Sequence, residues 1–148
     1  MSIPASDHET SQQQFCLVQV GNLTCAVDLA MVVEINNGAC ISSAYGTNEY
    51  VVGVMNLRGT IMAIIDLRKR LGLSERADES ACKILVVDAG KEKVGLLVDE
   101  VTAIIPIVEK NRYPSSKNIN HLDDKYYNGI YRDGERLVVV LNTEGILY

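Results

Sequence analysis

Short apolar runs separated by turn residues are the dominant pattern of this sequence. The runs at residues 15–20, 24–28, 31–35, 83–88 and 93–99 are rich in Val, Ile and Leu, and each has the length of a single strand. Gly or Asn residues lie between many of these runs, which is typical of β-hairpins. The pattern therefore predicts a mostly β protein.

The clearest hairpin lies in residues 53–73, which read GVMNLRGTIMAIIDLRKRLGL. Two apolar runs flank Arg58 and Gly59, and a glycine supplies the backbone freedom that a tight reversal requires. Asp66 is suited to cap a short helix over residues 67–71, and a glycine follows that segment. Arg58 is unusual, because a guanidinium beside such an apolar hairpin has to reach solvent, an anion or a partner.

The C-terminal part of the chain predicts further strands. Residues 103–108 form another apolar run, and residues 129–133 and 136–141 predict a hairpin across an Asp-Gly turn. Residues 142–147 are expected to form a short helix capped by Asn142, or an irregular closing segment.

Other segments lack an apolar pattern. Residues 1–14 are rich in Ser and Gln and predict a disordered tail, which leaves residues 15–148 as the folded domain. Residues 40–48 and 111–125 predict loops, the second with room for one helical turn.

The chain also contains a weak internal repeat. Matching positions lie first 71 and then 76 residues apart: Val27 and Val98, Asp28 and Asp99, Val33 and Ile104, then Gly53 and Gly129, Asp66 and Asn142, Leu71 and Leu147. Each copy runs hairpin, strand, loop, hairpin and short helix, and five strands suit a small closed barrel. We expect two similar five-stranded barrels, each too small to be stable alone, packed around one shared apolar seam.

Length and charge narrow the class of protein. The 148 residues fit one domain or two small subdomains, and the net charge of −5 argues against general nucleic-acid binding. The cluster Arg68, Lys69 and Arg70 is interpreted as a solvated helix face rather than a phosphate site. No membrane span or secretion signal is visible, so we expect a cytoplasmic protein.

The sequence offers no catalytic or metal-binding constellation. The four cysteines (Cys16, Cys25, Cys40 and Cys82) include no C-x-x-C pair, and neither His8 nor His121 has ligand spacing to a cysteine. Motifs typical of nucleotide-binding proteins and hydrolases are missing from the sequence. Asp99 and Glu100 are adjacent and would point to opposite faces of a strand. We therefore expect no enzyme, no metal and no cofactor.

Two charged residues remain unexplained by a globular core. Glu34 lies within the apolar run at residues 31–35, where it faces solvent, pairs with a cation of a partner, or pairs with Arg58 of the same fold. Val32 and Val33 point to opposite faces of the same strand, so one of them is expected at the surface. Apolar surface beside isolated charges is typical of interaction modules.

These residues also carry a family resemblance. The combination of GVMNLRG at residues 53–59 with IIDLR at residues 64–68 resembles the signature of CheW-like domains, the adaptors of bacterial chemotaxis. VVEI at residues 32–35 and VGLLVD at residues 94–99 support the resemblance, which covers about residues 15–148. It implies two SH3-like five-stranded barrels with short helices, and no catalysis.

The resemblance also implies partners and site residues. Such adaptors bind the regulatory domain of the histidine kinase CheA and the cytoplasmic tip of methyl-accepting chemoreceptors. Transferred by motif, the implied positions are Arg58, Glu34 and Val32 on a functional surface, Gly53 and Gly59 as backbone requirements of the hairpin, and Val33 and Val98 near the groove that takes the receptor helix.

Two alternatives remain open from the sequence. One is a CheW-like paralogue in a non-flagellar chemosensory pathway, which would bind a different kinase. The other is a small barrel that binds single-stranded nucleic acid or a small ligand, which predicts surface aromatics in a basic groove. Tyr126, Tyr127 and Tyr131 cluster in sequence but have only Lys125 and Arg132 as basic neighbours.

Overall fold

A computed structural model describes residues 13–37, 41–43, 49–73, 82–90, 92–114 and 122–148. The strands are β1 Gln14–Val20, β2 Leu23–Asp28, β3 Val32–Asn37, β4 Ser42–Ser43, β5 Val51–Leu57, β6 Thr60–Asp66, β7 Lys83–Asp88, β8 Lys93–Val98, β9 Glu100–Pro106, β10 Tyr127–Asp133 and β11 Arg136–Leu141. The helices are α1 Leu67–Arg70 and α2 Thr143–Leu147, and 3-10 turns lie at Leu29–Met31, Glu109–Asn111 and Asp124–Tyr126.

The strands form two sheets, each of which encloses its own apolar interior. The first sheet, here called barrel 1, has the order β10-β11-β2-β1-β9, and the second, barrel 2, has the order β3-β7-β8-β6-β5-β4. The prediction of a mostly β chain with two small SH3-like barrels is confirmed. The two-residue strand β4 adds a sixth member to barrel 2, inside a segment that the sequence predicts as loop.

The two sequence repeats exchange their first hairpins. Hairpin β1–β2 of the first repeat pairs with β9 and β11 of the second, whereas hairpin β7–β8 of the second repeat pairs with β3 and β6 of the first. In each barrel, one of the two pairings between the repeats is parallel: β11 with β2 in barrel 1, and β6 with β8 in barrel 2. Each barrel therefore contains strands from both repeats, which corrects the expectation that one repeat builds one barrel.

Three clusters of buried apolar residues account for the packing. Barrel 2 encloses Met62, Ile64 and their neighbours, and barrel 1 encloses a smaller set around Leu17 and Val138. The largest cluster draws on strands of both barrels, for example Val18 of β1, Leu96 of β8 and other residues, together with residues of both helices. Because this seam holds more buried residues than either interior, burial of apolar surface across it holds the two barrels together.

The predicted ends of α1 are confirmed in atomic detail. The Asp66 carboxylate accepts a hydrogen bond from the Arg68 amide at 3.0 Å, which is an N-cap contact. At the other end, the amides of Gly72 and Leu73 donate to the carbonyls of Lys69 and Arg68, and Gly72 has a φ of 77°. This is a Schellman motif, which explains why the helix ends there.

Other predicted boundaries differ from the structure. Asn142 occupies the N-cap position of α2 but makes no side-chain cap bond. Its side-chain nitrogen Nδ2 instead donates to the Lys125 carbonyl at 3.2 Å. Strand β1 begins at Gln14, which pairs with Pro106, so the predicted tail is too long at its C-terminal end. Residues 1–12 lie outside the described residues.

Across the part of the chain that the structure describes, no helix has the length and apolar character needed to cross a membrane.

Candidate functional site

Arg58 lies at the tip of hairpin β5–β6, in a two-residue turn with Gly59. The φ angles of Arg58 and Gly59 are 53° and 88°, as a type I′ turn requires. The Asn56 side chain accepts a hydrogen bond from the Gly59 amide at 2.9 Å and so braces the turn. A positive φ is uncommon for a residue with a long side chain. The turn holds Arg58 with 72% of its side chain exposed.

Glu34 is held beside this turn by an irregularity in β3. Val32 pairs with Val87 and Glu34 with Val86, so Val33 is the extra residue of a β-bulge. A bulge changes the direction of nearby side chains. The Arg58 guanidinium reaches Glu34 at 2.7 Å, from Nη2 to Oε1. Of the alternatives open for Glu34, the structure shows the pair with Arg58.

The second carboxylate oxygen of Glu34 is also engaged. Asn36, two residues further along β3, donates from Nδ2 to Oε2 at 2.8 Å. This hydrogen bond, and then the contact with Arg58, lower the pKa of Glu34 from its ordinary value. The carboxylate is thus charged and fixed in position. Asn36 was missed by the sequence analysis, although its spacing of two residues on a strand places it on the same face as Glu34.

Apolar side chains are also exposed on the two elements that carry this ion pair, strand β3 and hairpin β5–β6. Val33 and Ile35 of β3 are 42% and 46% exposed, and Ile61 of β6 is 63% exposed. Val32 instead packs against the seam between the barrels, so Val33 is the exposed member of the pair. Ile35 and Ile61 were not identified from sequence, because nothing in the local pattern separates an exposed from a buried isoleucine. We call Val33, Glu34, Ile35 and Arg58 the β3 surface.

A groove begins at Arg58 and borders the β3 surface. Its first part has a volume of about 140 Å³ and is lined by Leu57, Arg58, Thr60, Met62 and Lys93. A second part of about 410 Å³ shares Thr60, Met62 and Lys93 and extends to the turn between β7 and β8. Both parts are open to solvent and mix apolar with charged groups.

The remaining predicted site residues lie elsewhere. Val98 has no exposed surface and belongs to the apolar seam, so its side chain supports the core and does not line a surface groove. Its strand β8 is central in the sheet, and Val94 to Val98 are all buried. Gly53 is also buried, in β5, where a Cβ would meet the Ser42 carbonyl oxygen and, at 2.6 Å, the Ile41 side chain. The space at Gly53 is needed for the close approach of β4.

Metal-ligating and thiol side chains are the other candidates for chemistry among the described residues. Among them no group of three or more His, Cys, Asp or Glu residues is placed to hold a metal ion. Cys16, Cys25 and Cys82 are buried, and burial raises the pKa of Cys25 to about 12. Such thiols are unreactive. His8, His121 and Cys40 lie outside the described residues.

The tyrosines near β10 make contacts within the fold. The Tyr126 ring lies 5.2 Å from the Arg70 guanidinium, and the Tyr131 hydroxyl accepts from Arg112 and donates to Glu109. They do not form the exposed stacking platform that single-strand binding uses.

The repeat provides an internal test of whether the Glu34–Arg58 pair belongs to the fold. The residue 71 positions after Glu34 is Ile105, which packs against the interior of barrel 1. The residue 76 positions after Arg58 is Gly134, in the turn of hairpin β10–β11. Barrel 1 thus has the same strands without the ion pair, so the pair is not a requirement of the barrel.

Comparison with known proteins decides the family. The model of the CheW-like domain matches residues 14–148. The chain belongs to the CheW-like family. A chemotaxis protein CheW from Klebsiella aerogenes is 28% identical over 139 residues, covering 94% of this chain and 84% of that protein. A chemotaxis protein CheW from Thermotoga maritima is 30% identical and covers 81% of this chain and 76% of its own length.

A solved structure agrees with this assignment. The crystal structure of the scaffolding protein TtCheW from Thermoanaerobacter tengcongensis superposes with a TM-score of 0.82 at 26% identity, covering 93% of this chain and 88% of that one. The CheW-like chain is therefore a non-enzymatic scaffold of chemotaxis signal transduction.

Proposed function

We propose that this CheW-like chain couples methyl-accepting chemoreceptors to the histidine kinase CheA in the cytoplasm, at receptor arrays. The chain would bind the cytoplasmic tip of the receptors and the regulatory domain of the kinase, with the β3 surface as the contact for the kinase. Membership of a family of chemotaxis scaffolds supports the coupling function. The pathway would follow from which kinase the chain binds.

One observation carries the choice of surface. Glu34 and Arg58 form a charged pair that barrel 1 replaces with Ile105 and Gly134. An exposed ion pair contributes little to folding, so stability does not explain it. A fixed charge on Glu34, with Val33 and Ile35 exposed on the same strand, matches the composition of protein interfaces, where a few anchoring residues carry most of the affinity.

The charges would also give the contact its specificity. Arg58 is mostly exposed, and its guanidinium can donate further hydrogen bonds to a partner while it holds Glu34. A partner that covers the pair would exclude water from it and strengthen both charge interactions. Arg58 would thus be a residue whose loss costs binding far more than stability.

Calorimetric titration tests this proposal. The chain is titrated with the regulatory domain of CheA from its own organism, as wild type, as Arg58→Ala and as Arg136→Ala. Arg136 is the matched control, because it forms an exposed ion pair with Asp133 at 3.0 Å in the equivalent hairpin β10–β11. We expect Arg58→Ala to weaken binding about tenfold or more and Arg136→Ala to leave it unchanged.

Two results would contradict the proposal. A folded Arg58→Ala chain with wild-type affinity would remove the β3 surface from the kinase contact. In that case, the same variants titrated with a receptor-tip fragment show whether the surface serves the receptor instead. Failure of the wild-type chain to bind any CheA of its organism would overturn the assigned partner itself.

A further inference from the structure

The helix α1 connects the two barrels through two of its four residues. From sequence, Arg68, Lys69 and Arg70 are expected to form one solvated face, but the structure supports this for Lys69 only. The Arg68 side chain is 17% exposed, and Arg70 is half-buried. Both arginines reach from α1, which follows barrel 2 directly, to groups of barrel 1.

Arg68 makes a two-point contact at the crossing between the barrels. Its Nη2 and Nε atoms donate to the two carboxylate oxygens of Asp99 at 2.7 and 3.2 Å. Asp99 joins β8 of barrel 2 to β9 of barrel 1, and its carboxylate also accepts from the Gly21 amide at 2.8 Å. Gly21 lies in the turn of hairpin β1–β2. The contact thus ties α1 to barrel 1 at that turn.

Arg70 makes the second connection, on the side of α2. Its Nε donates to the Ile146 carbonyl at 2.7 Å, and Nη2 donates to the Gly145 carbonyl at 3.3 Å. These carbonyls lie in the last turn of α2, where they lack partners within the helix. A cation at this end of a helix is also favoured by the helix dipole.

The guanidinium of Arg70 also lies between two tyrosines that hold equivalent places in the repeats. It is 4.1 Å from the Tyr50 ring centre and 5.2 Å from that of Tyr126. The two tyrosines are 76 residues apart, and each accepts a backbone hydrogen bond at 2.8 Å, from Asp66 and Asn142 respectively. Arg70 therefore sits where the matching ends of the two barrels meet, with cation–π contacts to both.

We propose that α1 is a latch that sets the orientation of barrel 2 relative to barrel 1, with Arg68 and Arg70 as its two positioning residues. The apolar seam holds the barrels together, but burial of apolar surface is not directional. Guanidinium contacts are directional, because the planar group offers donors in a fixed geometry. The inference rests on the proposed function in one respect: a fixed orientation would hold the β3 surface correctly relative to a second partner.

Residual dipolar couplings of the full ¹⁵N-labelled chain test the latch directly. Wild type, Arg68→Ala, Arg70→Ala and Lys69→Ala are compared, the last being a matched control that removes one positive charge from the same helix. We expect each barrel to keep its wild-type internal couplings in every variant. In the two arginine variants the angle between the barrels should change, or their alignment tensors should become unequal in magnitude. Couplings that fit the wild-type molecule as one rigid body in both arginine variants would overturn the proposal.

Arg70→Lys keeps the experiment informative if an alanine variant does not fold. Lysine retains the charge but cannot donate from two nitrogen atoms in the guanidinium geometry. We expect Arg70→Lys to alter the angle between the barrels in the same direction, to a smaller extent. Wild-type couplings in a folded Arg70→Lys chain would show that charge alone is sufficient and would contradict the latch.

A binding experiment tests the functional consequence separately. The variants are titrated with the CheA regulatory domain and the receptor-tip fragment, singly and together. We expect Arg70→Ala to bind each partner within about twofold of wild type and to form the three-component complex about tenfold less well. Unchanged formation of that complex would contradict the functional role, even where the couplings show a changed angle. If wild type binds neither partner, the proposed function fails, and the couplings still decide the latch.

Discussion

Hairpins β5–β6 and β10–β11 hold equivalent places in the two barrels, yet their turns differ in chemistry. Each hairpin contains a register shift just before a buried glycine, Gly53 in one and Gly129 in the other. At the tip of the first, Arg58 reaches out of its hairpin to Glu34 on β3. At the tip of the second, Arg136 pairs with Asp133 of the same hairpin.

This difference distinguishes the features that the barrel fold requires, which both barrels have, from a feature that only one barrel has. The register shifts and glycines occur in both barrels, so they belong to the architecture. The Glu34–Arg58 pair occurs in barrel 2 alone, whereas both barrels expose an apolar residue at one matched position, Val33 at 42% and Ile104 at 55%. A feature that one copy of a repeated fold lacks is a better candidate for function than a feature that both copies share.

The largest expected effect is a loss of stability, and it concerns the two glycines that follow the register shifts. A Cβ at Gly53 would meet the backbone carbonyl of Ser42, whereas a Cβ at Gly129 would meet the Arg112 guanidinium at 2.9 to 3.0 Å. Backbone cannot move aside easily, but the end of an exposed side chain can. We expect Gly53→Ala to lower the free energy of unfolding by about 2–3 kcal/mol and Gly129→Ala by about 1 kcal/mol or less.

Urea denaturation of both variants measures this difference, provided that the slope of unfolding against urea stays unchanged. Equal losses at the two positions would mean that the approach of β4 does not restrict Gly53.

The local sequence was sufficient to predict the individual hairpins and the ends of α1, but not which strands pair to form each barrel. Hairpins, the Asp66 cap and the Gly72 stop depend on neighbouring residues, and each was predicted. The exchange of hairpins depends on pairing between strands far apart in the chain, for example β3 with β7. Nothing in either strand specifies which repeat supplies its partner, so the sequence could predict two barrels without predicting their composition.

A second prediction concerns the apolar part of the β3 surface. Val33→Ser should weaken binding of the CheA regulatory domain about fivefold, because an exposed valine gains affinity only when a partner covers it. Leu137→Ser is the matched control, since Leu137 of β11 is 39% exposed and Val33 is 42% exposed. Calorimetric titration compares the two. Equal weakening by both variants would remove the distinction between the barrels on which the choice of surface rests.

Burial explains which expectations about side-chain exposure agree with the structure and which do not. Val33 was correctly expected to differ from Val32, because alternation holds on the edge strand β3. Val98 was misplaced, because β8 is a central strand with both faces covered, and alternation carries no information there. The arginines of α1 were misread for a related reason: a helix face is solvated only if no second barrel lies against it.

The smallest expected effect is a dependence of stability on pH, which arises from the Glu34 carboxyl group. Its hydrogen bond with Asn36, followed by the contact with Arg58, lowers the pKa of the carboxyl below its ordinary value of 4.5. A depressed pKa in the folded state means that this contribution to stability is fully present above pH 4.5 and is lost as pH falls through the folded-state value.

Carbon-detected NMR titration of the Glu34 carboxyl group measures the pKa. We expect Asn36→Ala and Arg58→Ala each to raise it, because each variant removes a hydrogen bond that lowers the pKa of Glu34. The amides of Ile105 and Gly134, at the equivalent positions of barrel 1, should show no transition with that pKa. An unchanged pKa of Glu34 in either variant would contradict the cause assigned to that contact.

The claim that the Glu34–Arg58 pair serves binding is tested most directly by exchanging the two charges, Glu34→Arg with Arg58→Glu. The double variant is titrated with the CheA regulatory domain. The exchange keeps an ion pair within the fold but presents each charge at the wrong place to a partner. If the pair serves binding, the double variant should melt at nearly the wild-type temperature and bind about as weakly as Arg58→Ala. Wild-type affinity in the double variant would show that the pair only maintains the fold, and would contradict the account.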